Sequence, residues 1–440
     1  MMLRPLLMLP LYLRILLMWP VLFSAVSNYH GAYAQLEQEE QLQAPEEMPQ
    51  PQQQSPSPPL PSPPLQQQPQ PQPQPQPPPQ LQQQSPLPPL PSPLQQPPLP
   101  PPETIPVGMS PLGIAFNPEN GDMYVTNFYS GSISVIDGST NSITTTIPLG
   151  SSNFPAGIAF NSNNSNIYAT NFYSTTASSA ALSAGTVSVI NSSTNDVVDT
   201  VQVGTTPLGI AFNPENGDMY VTNFYSGSIS VIDGSTNDVV DTIATGAQGP
   251  IWIAFNPENG DMYVTNFYSG SISVIDGSTN DVVDTIDGVI YPYHIAYNPA
   301  NQDMYVTNPA ASSVSVIDSP TNTVVENIPA IPSPLGIASN PENGDLYVTN
   351  YSPDPTTVNT ISVLNETANT LISTIPSGGS GATGIALNPN NGDLYVTNWY
   401  SQTVSIISAL DLVREQEQTP QAAQQLQQEQ ATSPPPLSSP

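Results

Sequence analysis

The chain has 440 residues, including 55 prolines, no cysteine, and 34 acidic residues against three basic ones, which gives a net charge of −31. A surface this acidic repels nucleic acid and acidic polymers, and it favours cations or basic partners. Without cysteine, disulfides, thiolate metal ligands, c-type haem attachment and a cysteine nucleophile are excluded.

Residues 1–34 have the features of a secretory signal. Arg4 and Arg14 precede the apolar run Ile15–Val26, and Ala32-Tyr33-Ala34 offers a small-x-small cleavage site. The apolar run is shorter than the ~20 residues of a membrane span. We therefore expect export to the cell surface or the extracellular space. The alternative is an uncleaved signal that is retained as a membrane anchor.

Two segments of low complexity flank the central part of the chain. Residues 35–102 consist almost entirely of Gln, Pro, Ser and Leu, with a few Glu. Such a composition cannot bury enough apolar surface to offset chain entropy, and its proline runs favour extended polyproline II. We expect a disordered stalk at 35–102 and a similar disordered tail at 411–440.

Residues 103–410 contain seven copies of one repeat, whose common position recurs at intervals of 42 to 52 residues. A period of this size is typical of a repeat architecture. The copy that begins at Pro207 divides into four short runs of strand-forming residues, separated by turn residues: Gly209–Phe212, Met219–Thr222, Ser228–Ile232 and Val239–Ile243. In the first turn, Asn216-Gly217 predicts a tight hairpin in which both residues have positive φ.

Four antiparallel strands per copy correspond to one blade, so the sequence predicts an all-β fold, a seven-bladed β-propeller. The seventh copy lacks a fourth strand, whereas Glu103–Gly108, ahead of the first copy, resembles one. We predict that this segment pairs with the last blade and closes the ring. A closed ring of this size does not need disulfides, and we expect it to be monomeric.

The second strand of each copy carries a recurring motif. Tyr-Val-Thr-Asn is present in six copies and Tyr168-Ala169-Thr170-Asn171 in the second, with Gly-Ile-Ala-Phe-Asn-Pro before the motif and Val-Ile-Asp-Gly after it. In these features residues 103–410 resemble the YVTN-type β-propeller family, which is WD40/YVTN-like and includes prokaryotic surface-layer components. The resemblance implies a propeller and a role at the cell surface, but propellers host many unrelated functions.

Candidate functional residues are those at which one copy departs from the others, because residues present in every copy are explained by building the blade. Trp252, Tyr291, Tyr293 and His294 lie near the starts of first strands, where other copies have glycine or small residues. Trp399 and Tyr400 belong to a series of aromatic pairs that follow the second strands. Topology places both groups at one end of the propeller, where aromatic rings suit a sugar or a peptide. The alternative is that these rings cover the ends of adjacent blades.

The sequence offers little for catalysis. His294 is the only histidine beyond the signal, no Gly-x-Ser-x-Gly turn is present, and residues 103–410 contain no Lys or Arg. Aspartates recur at the two hairpins of each copy, where capping of turns explains them. Calcium binding is the alternative, although no turn has the Asp-x-Asp-x-Asp-Gly spacing of a calcium loop.

The sequence therefore predicts a non-enzymatic, exported propeller that acts as a structural or binding module of the cell envelope, with envelope proteins or glycans as partners and no nucleic acid. The alternative is a secreted propeller hydrolase or lactonase with a divalent metal bound by carboxylates. Three sequons offer glycosylation sites in an exported protein, at Asn163, Asn191 and Asn365.

Overall fold

The computed structural model describes residues 101–172, 184–365 and 368–408, together with Leu412. These residues form 28 β-strands in seven four-stranded antiparallel sheets, which are the blades of a seven-bladed β-propeller. No helix within these ranges has the length and apolar character needed to cross a membrane. The predicted signal, the stalk up to residue 100 and all of the tail except Leu412 lie outside the described residues.

The strands follow the predicted repeats, and within each of the first six blades they pair in chain order. Blade 1 has β2 (Pro111–Phe116), β3 (Asp122–Asn127), β4 (Ser132–Asp137) and β5 (Ser142–Pro148). Blade 2 has β6 (Pro155–Asn161), β7 (Asn166–Asn171), β8 (Thr186–Asn191) and β9 (Asp196–Gln202). Blade 3 has β10 (Pro207–Phe212), β11 (Met219–Asn223), β12 (Ser228–Ile232) and β13 (Val239–Ala244).

The second half of the ring repeats this arrangement. Blade 4 has β14 (Pro250–Phe255), β15 (Asp261–Asn266), β16 (Ser271–Asp276) and β17 (Val282–Asp287). Blade 5 has β18 (Ile295–Tyr297), β19 (Met304–Asn308), β20 (Ser313–Asp318) and β21 (Thr323–Ile328). Blade 6 has β22 (Pro334–Ser339), β23 (Leu346–Asn350), β24 (Thr360–Asn365) and β25 (Thr370–Pro376). Blade 7 has β26 (Ala382–Asn388), β27 (Asp393–Asn398), β28 (Thr403–Ile407) and, as its outermost strand, β1 (Glu103–Pro106).

Strand β1 occupies the position predicted for Glu103–Gly108. It runs antiparallel to β28, with Glu103 opposite Ile406 and Pro106 opposite Thr403. The Val107 N–H continues the pairing to the Gln402 carbonyl at 3.0 Å. The strand ends two residues earlier than predicted. Beyond it, Gly108 passes tightly against Asn127 of blade 1, where a Cβ would lie 2.6 Å from the Asn127 Cγ.

The innermost strands of neighbouring blades approach each other very closely. A Cβ at Gly157 would lie 2.2 Å from the Leu208 carbonyl oxygen, and most blades need glycine at this position for the same reason. The threonine of the repeated motif then joins the blades. In the Tyr-Ala-Thr-Asn copy of blade 2, Thr170 Oγ1 accepts the Gly157 N–H and donates to the Leu208 carbonyl, each at 2.8 Å. The equivalent bond from Thr397 to the Leu112 carbonyl, at 2.9 Å, joins the last blade to the first.

The motif tyrosine forms a second link between blades. Tyr220 is fully buried, its hydroxyl accepts the Asn216 amide at 2.9 Å, and it donates to Asn280 Oδ1 of the next blade at 2.6 Å. Around it, Ile229 and Val231 of blade 3 pack in one apolar cluster with residues of blade 4. Because residues 103–410 contain no Lys or Arg, hydrogen bonds and apolar packing hold the ring together.

The prediction of a two-residue Asn-Gly turn is wrong. Gly217 has a φ of 86°, but Asn216 does not have a positive φ. The turn is a longer loop in which the Gly217 N–H donates to the Asn213 carbonyl at 2.9 Å and the Asn213 side chain accepts the Glu215 N–H at 2.9 Å. The buried side chain of Asn213 therefore sets a four-residue connection in which only glycine takes the left-handed conformation.

The outermost strands are open edges, and their sequence limits pairing with another chain. In blade 3, β13 exposes Val240, and the register between β12 and β13 shifts at this residue, which is a β-bulge. Asp241 lies next to it on the same strand. Bulges and charges on edge strands oppose edge-to-edge association.

Candidate functional site

One end of the propeller, which we call face one, carries the starts of the innermost strands, the turns between second and third strands, and the connections between blades. The opposite end, face two, carries the other two hairpins of each blade. All six predicted ligand residues lie at or near face one, and five of them belong to or pack against one aromatic cluster: Trp252, Tyr291, Tyr293, Trp399 and Tyr400.

Most of the repeated aromatic side chains on face one are buried. Phe128 is 1% exposed, and its ring lies 5.3 Å from Phe154, 5.6 Å from Phe172 and 5.5 Å from Trp399, measured between ring centroids. Phe224 and Phe267 of the next blades are buried in the same cluster. These rings form an apolar layer over the blade ends. Tyr173, which follows Phe172, lies outside the described residues.

Trp399 and Tyr400 pack within this layer where blades 6, 7 and 1 meet. Trp399 is 6% exposed and lies 5.5 Å from the ring of Tyr129. The Tyr400 hydroxyl shares a 2.7 Å hydrogen bond with the Tyr351 hydroxyl, and burial together with Tyr400 raises the pKa of Tyr351. Replacing Trp399 would therefore mainly disrupt the packing between blades 6, 7 and 1.

Two tyrosines that belong to the repeated aromatic pairs are well exposed. Tyr225 is 41% exposed and Tyr268 is 52% exposed. Both rings pack on Phe224, at 5.4 Å and 5.3 Å. The contacts continue through Phe267 to Tyr291, whose ring centroid lies 5.1 Å from that of Phe267. We call Tyr225, Phe224, Tyr268, Phe267 and Tyr291 the aromatic strip. It runs from blade 3 towards blade 5.

The propeller axis contains a cavity of about 180 Å³ that is lined by the innermost segment of every blade. Its walls are mainly isoleucine and glycine. The symmetry is broken in two adjacent blades, where Trp252 and His294 stand at positions that hold Gly209 in blade 3 and Gly336 in blade 6. The two rings face each other across the blade boundary, with centroids 4.7 Å apart and an interplanar angle of 44°.

The backbone changes where His294 replaces glycine. Strand β18 has three residues, whereas the other innermost strands have six or seven, and Tyr291 just before it has a φ of 49°. Tyr293 and His294 instead pair with Thr307, through the bonds Tyr293 N–H to the Thr307 carbonyl at 2.8 Å and Thr307 N–H to the His294 carbonyl at 2.9 Å. At this boundary the backbone of the innermost segment therefore differs from that of the other blades, which have glycine or Trp252 at the position of His294.

The polar groups of the axial cavity are few and uncharged at neutral pH. Burial lowers the pKa of His294 to about 4, so the imidazole is neutral at pH 7. Burial also raises the pKa of Tyr293 to about 12, and the nearby Trp252 indole opposes this effect only in part. Trp252 Nε1 and His294 Nδ1 are buried without a hydrogen-bond partner among the described residues.

The repeated aspartates lie on face two and serve the turns. Asp233 accepts the Ser235 hydroxyl at 2.5 Å and the N–H groups of Ser235 at 2.7 Å and Thr236 at 3.0 Å, and these bonds lower the pKa of its carboxyl. Asp261 on β15 lies opposite Asp276 on the adjacent strand β16. Burial, with a smaller contribution from Asp276, raises the pKa of Asp261 to about 6. Within the described ranges, no group of three or more side chains is arranged to hold a metal ion.

The three sequon asparagines differ in their surroundings. Asn163 is exposed in the first hairpin of blade 2, and its N–H donates to Asn161 Oδ1 at 2.9 Å. Asn191 and Asn365 are half-buried, and their side-chain oxygens accept backbone N–H groups of the following turn, from Ser193 at 3.0 Å and from Ala368 at 2.9 Å. Asn163 therefore presents the freest side chain of the three.

Comparison with known proteins supports the fold. Residues 183–319 match a family described as YNCE-like beta-propeller, a match that covers less than half of the chain. The structure resembles a chain of Kuenenia stuttgartiensis hydrazine synthase, with a TM-score of 0.58 and 19% sequence identity over 68% of this chain and 96% of that one. The sequence has no significant match among curated proteins. At this identity the structural likeness establishes the β-propeller fold and nothing about activity.

Proposed function

We propose that this β-propeller is exported, is displayed at the cell surface, and binds a protein or a glycan of the envelope through the aromatic strip on face one. The observation that carries the proposal is the exposure of Tyr225 and Tyr268, at 41% and 52%, on top of buried rings. Exposed aromatic rings on a rigid base can stack on sugars or on peptide side chains with little loss of conformational entropy.

The charge of the domain limits the partner. Residues 103–410 contain 25 acidic residues and no Lys or Arg, so they cannot form ion pairs with an acidic polymer. A neutral or basic envelope polymer fits this surface, whereas teichoic-acid-like or nucleic-acid chains are repelled. The resemblance of the repeats to surface-layer propellers supports the same location.

The flanking sequence supports display away from the membrane. The proline-rich composition of residues 35–102 favours an extended spacer, which would suit display of the propeller away from the membrane. The proposal is of a binding protein rather than an enzyme. In support, the residues that line the axial cavity include one histidine and no carboxylate.

The proposal is tested by binding of the purified chain to isolated envelope from its own cells. We expect Tyr225→Ala/Tyr268→Ala to reduce binding at least about tenfold, as loss of two stacking contacts implies. The matched control is Val240→Ala/Val283→Ala, which removes side chains of similar exposure from the outer strands. Protease-treated and glycosidase-treated envelope separate a protein partner from a glycan. Equal binding by both double variants would contradict the role of the strip, and a purely cytoplasmic location on cell fractionation would contradict export.

A further inference from the structure

The cavity on the propeller axis is lined by none of the residues of the aromatic strip. We infer that the axial cavity beside Trp252 and His294 binds one small, uncharged, single-ring aromatic molecule that carries one polar substituent, such as a phenol. This inference goes beyond the proposed function, because it concerns a small molecule and residues that line the channel.

The size of the cavity sets the size of the ligand. An engineered apolar cavity of about 150 Å³ accommodates benzene. The axial cavity measures about 180 Å³, which leaves room for one ring and one small substituent. Two fused rings with several substituents would not fit without movement of the blades.

The chemistry of the lining sets the polarity of the ligand. The aliphatic lining residues are Leu112 and five isoleucines, and no lining residue is Asp, Glu, Lys or Arg. A charged ligand would lose its hydration without gaining a counter-charge, which is costly. A monosaccharide, with several hydroxyl groups, would leave most of them without partners in such a lining.

Trp252 and His294, which replace the glycine of the other copies, favour an aromatic ligand. In the other blades the innermost strands meet through glycine, whereas here two rings stand 4.7 Å apart at one boundary. Trp252 Nε1 and His294 Nδ1 lack hydrogen-bond partners among the described residues, although buried polar groups in proteins are nearly always paired. A ring that packs against this pair, with a hydroxyl near it, would supply both the aromatic contact and a polar partner.

The experiment titrates phenol and toluene into the full chain and follows binding by NMR line broadening and by calorimetry. We expect phenol to bind in a one-to-one ratio and more tightly than toluene. Trp252→Gly restores the residue of the other blades and should weaken phenol binding about tenfold, because it removes the aromatic wall. His294→Phe replaces the imidazole with a phenyl ring and removes its nitrogen atoms, while the Trp252 indole N–H remains. It should therefore reduce the preference for phenol over toluene.

The control is Tyr268→Ala, which alters the aromatic strip but not the cavity lining. It should leave phenol binding unchanged, even though it weakens envelope binding under the proposed function. Phenol binding that is absent at millimolar concentration, or that is equally strong in Trp252→Gly and wild type, would overturn the inference. Since His294→Phe keeps an aromatic ring at this position, it decides the question if Trp252→Gly fails to fold.

Discussion

The tyrosine of the repeated motif offers a stability test with a control inside the same protein. In blade 3, the Tyr220 hydroxyl donates to Asn280 of the next blade at 2.6 Å and accepts from Asn216 at 2.9 Å. In blade 6, the Tyr347 hydroxyl meets only Asn343 among the described residues, at 3.4 Å. The difference arises because blade 7 takes its outermost strand from β1 and therefore lacks the hairpin that supplies the asparagine in other blades.

We predict that Tyr220→Phe lowers the free energy of unfolding by about 1.5 kcal/mol, since it removes two hydrogen bonds from a partly buried network. Tyr347→Phe should cost less than about 0.5 kcal/mol, because its one contact is long. Both tyrosines are fully buried, so the two substitutions change packing equally.

The assay is equilibrium unfolding in urea, with the midpoint and slope recorded for wild type and both variants. The slopes should agree, which shows that the same surface is exposed on unfolding. Equal losses in the two variants would refute the reasoning, because they would mean that the inter-blade bond to asparagine contributes nothing beyond the burial of the ring.

Two further substitutions test the contacts between blades and the charge on face two. Gly157→Ala should destabilise the protein by about 3 kcal/mol in the same urea assay, since the new Cβ would lie 2.2 Å from the Leu208 carbonyl oxygen. An unchanged free energy of unfolding would contradict the close approach of the two strands. Asp261 has a folded-state pKa of about 6, above the ordinary aspartate value of 3.8, so its contribution to stability is lost as the pH rises through this window. Asp261→Asn should therefore raise stability at pH 7 by about 1 kcal/mol after solvent screening and match wild type near pH 3.5; no gain at pH 7 would contradict this assignment.

The repeat made the fold predictable. Because seven copies carry the same alternation, the bounds of most strands agree with the runs in the sequence, as in Ser228–Ile232, which is strand β12. The absence of a fourth strand in the last copy pointed to β1, since Glu103–Gly108 resembles the fourth strands of the other copies. Local signals were less reliable for detail, as the Asn-Gly turn shows.

The exposure of the aromatic residues could not be predicted from the local sequence. Tyr129, Tyr225 and Tyr268 follow phenylalanine in nearly identical segments. Tyr129 is partly covered by Phe154 and Trp399, at 6.2 Å and 5.5 Å, whereas Tyr225 and Tyr268 stay exposed. The difference comes from side chains of neighbouring blades, which a pattern within one copy does not contain.

The position of the axial site was predictable only in part. Trp252 and His294 were recognisable as departures from glycine at a fixed position of the repeat. The meeting of their rings across a blade boundary depends on the shortened strand β18 and on the left-handed conformation of Tyr291. These are consequences of the chain path between blades 4 and 5, where the sequence no longer follows the template.

The most direct test of the closed ring is removal of residues 103–107 from the full chain. Ile105 is 6% exposed and packs with Val404 and Ile406, and the strand satisfies the outer edge of β28. Loss of this buried isoleucine alone should cost about 2–5 kcal/mol, and loss of the strand pairing should add to it. Closure by β1 predicts a much lower urea midpoint for the deletion variant than for wild type. An unchanged midpoint would show that the propeller does not depend on this strand.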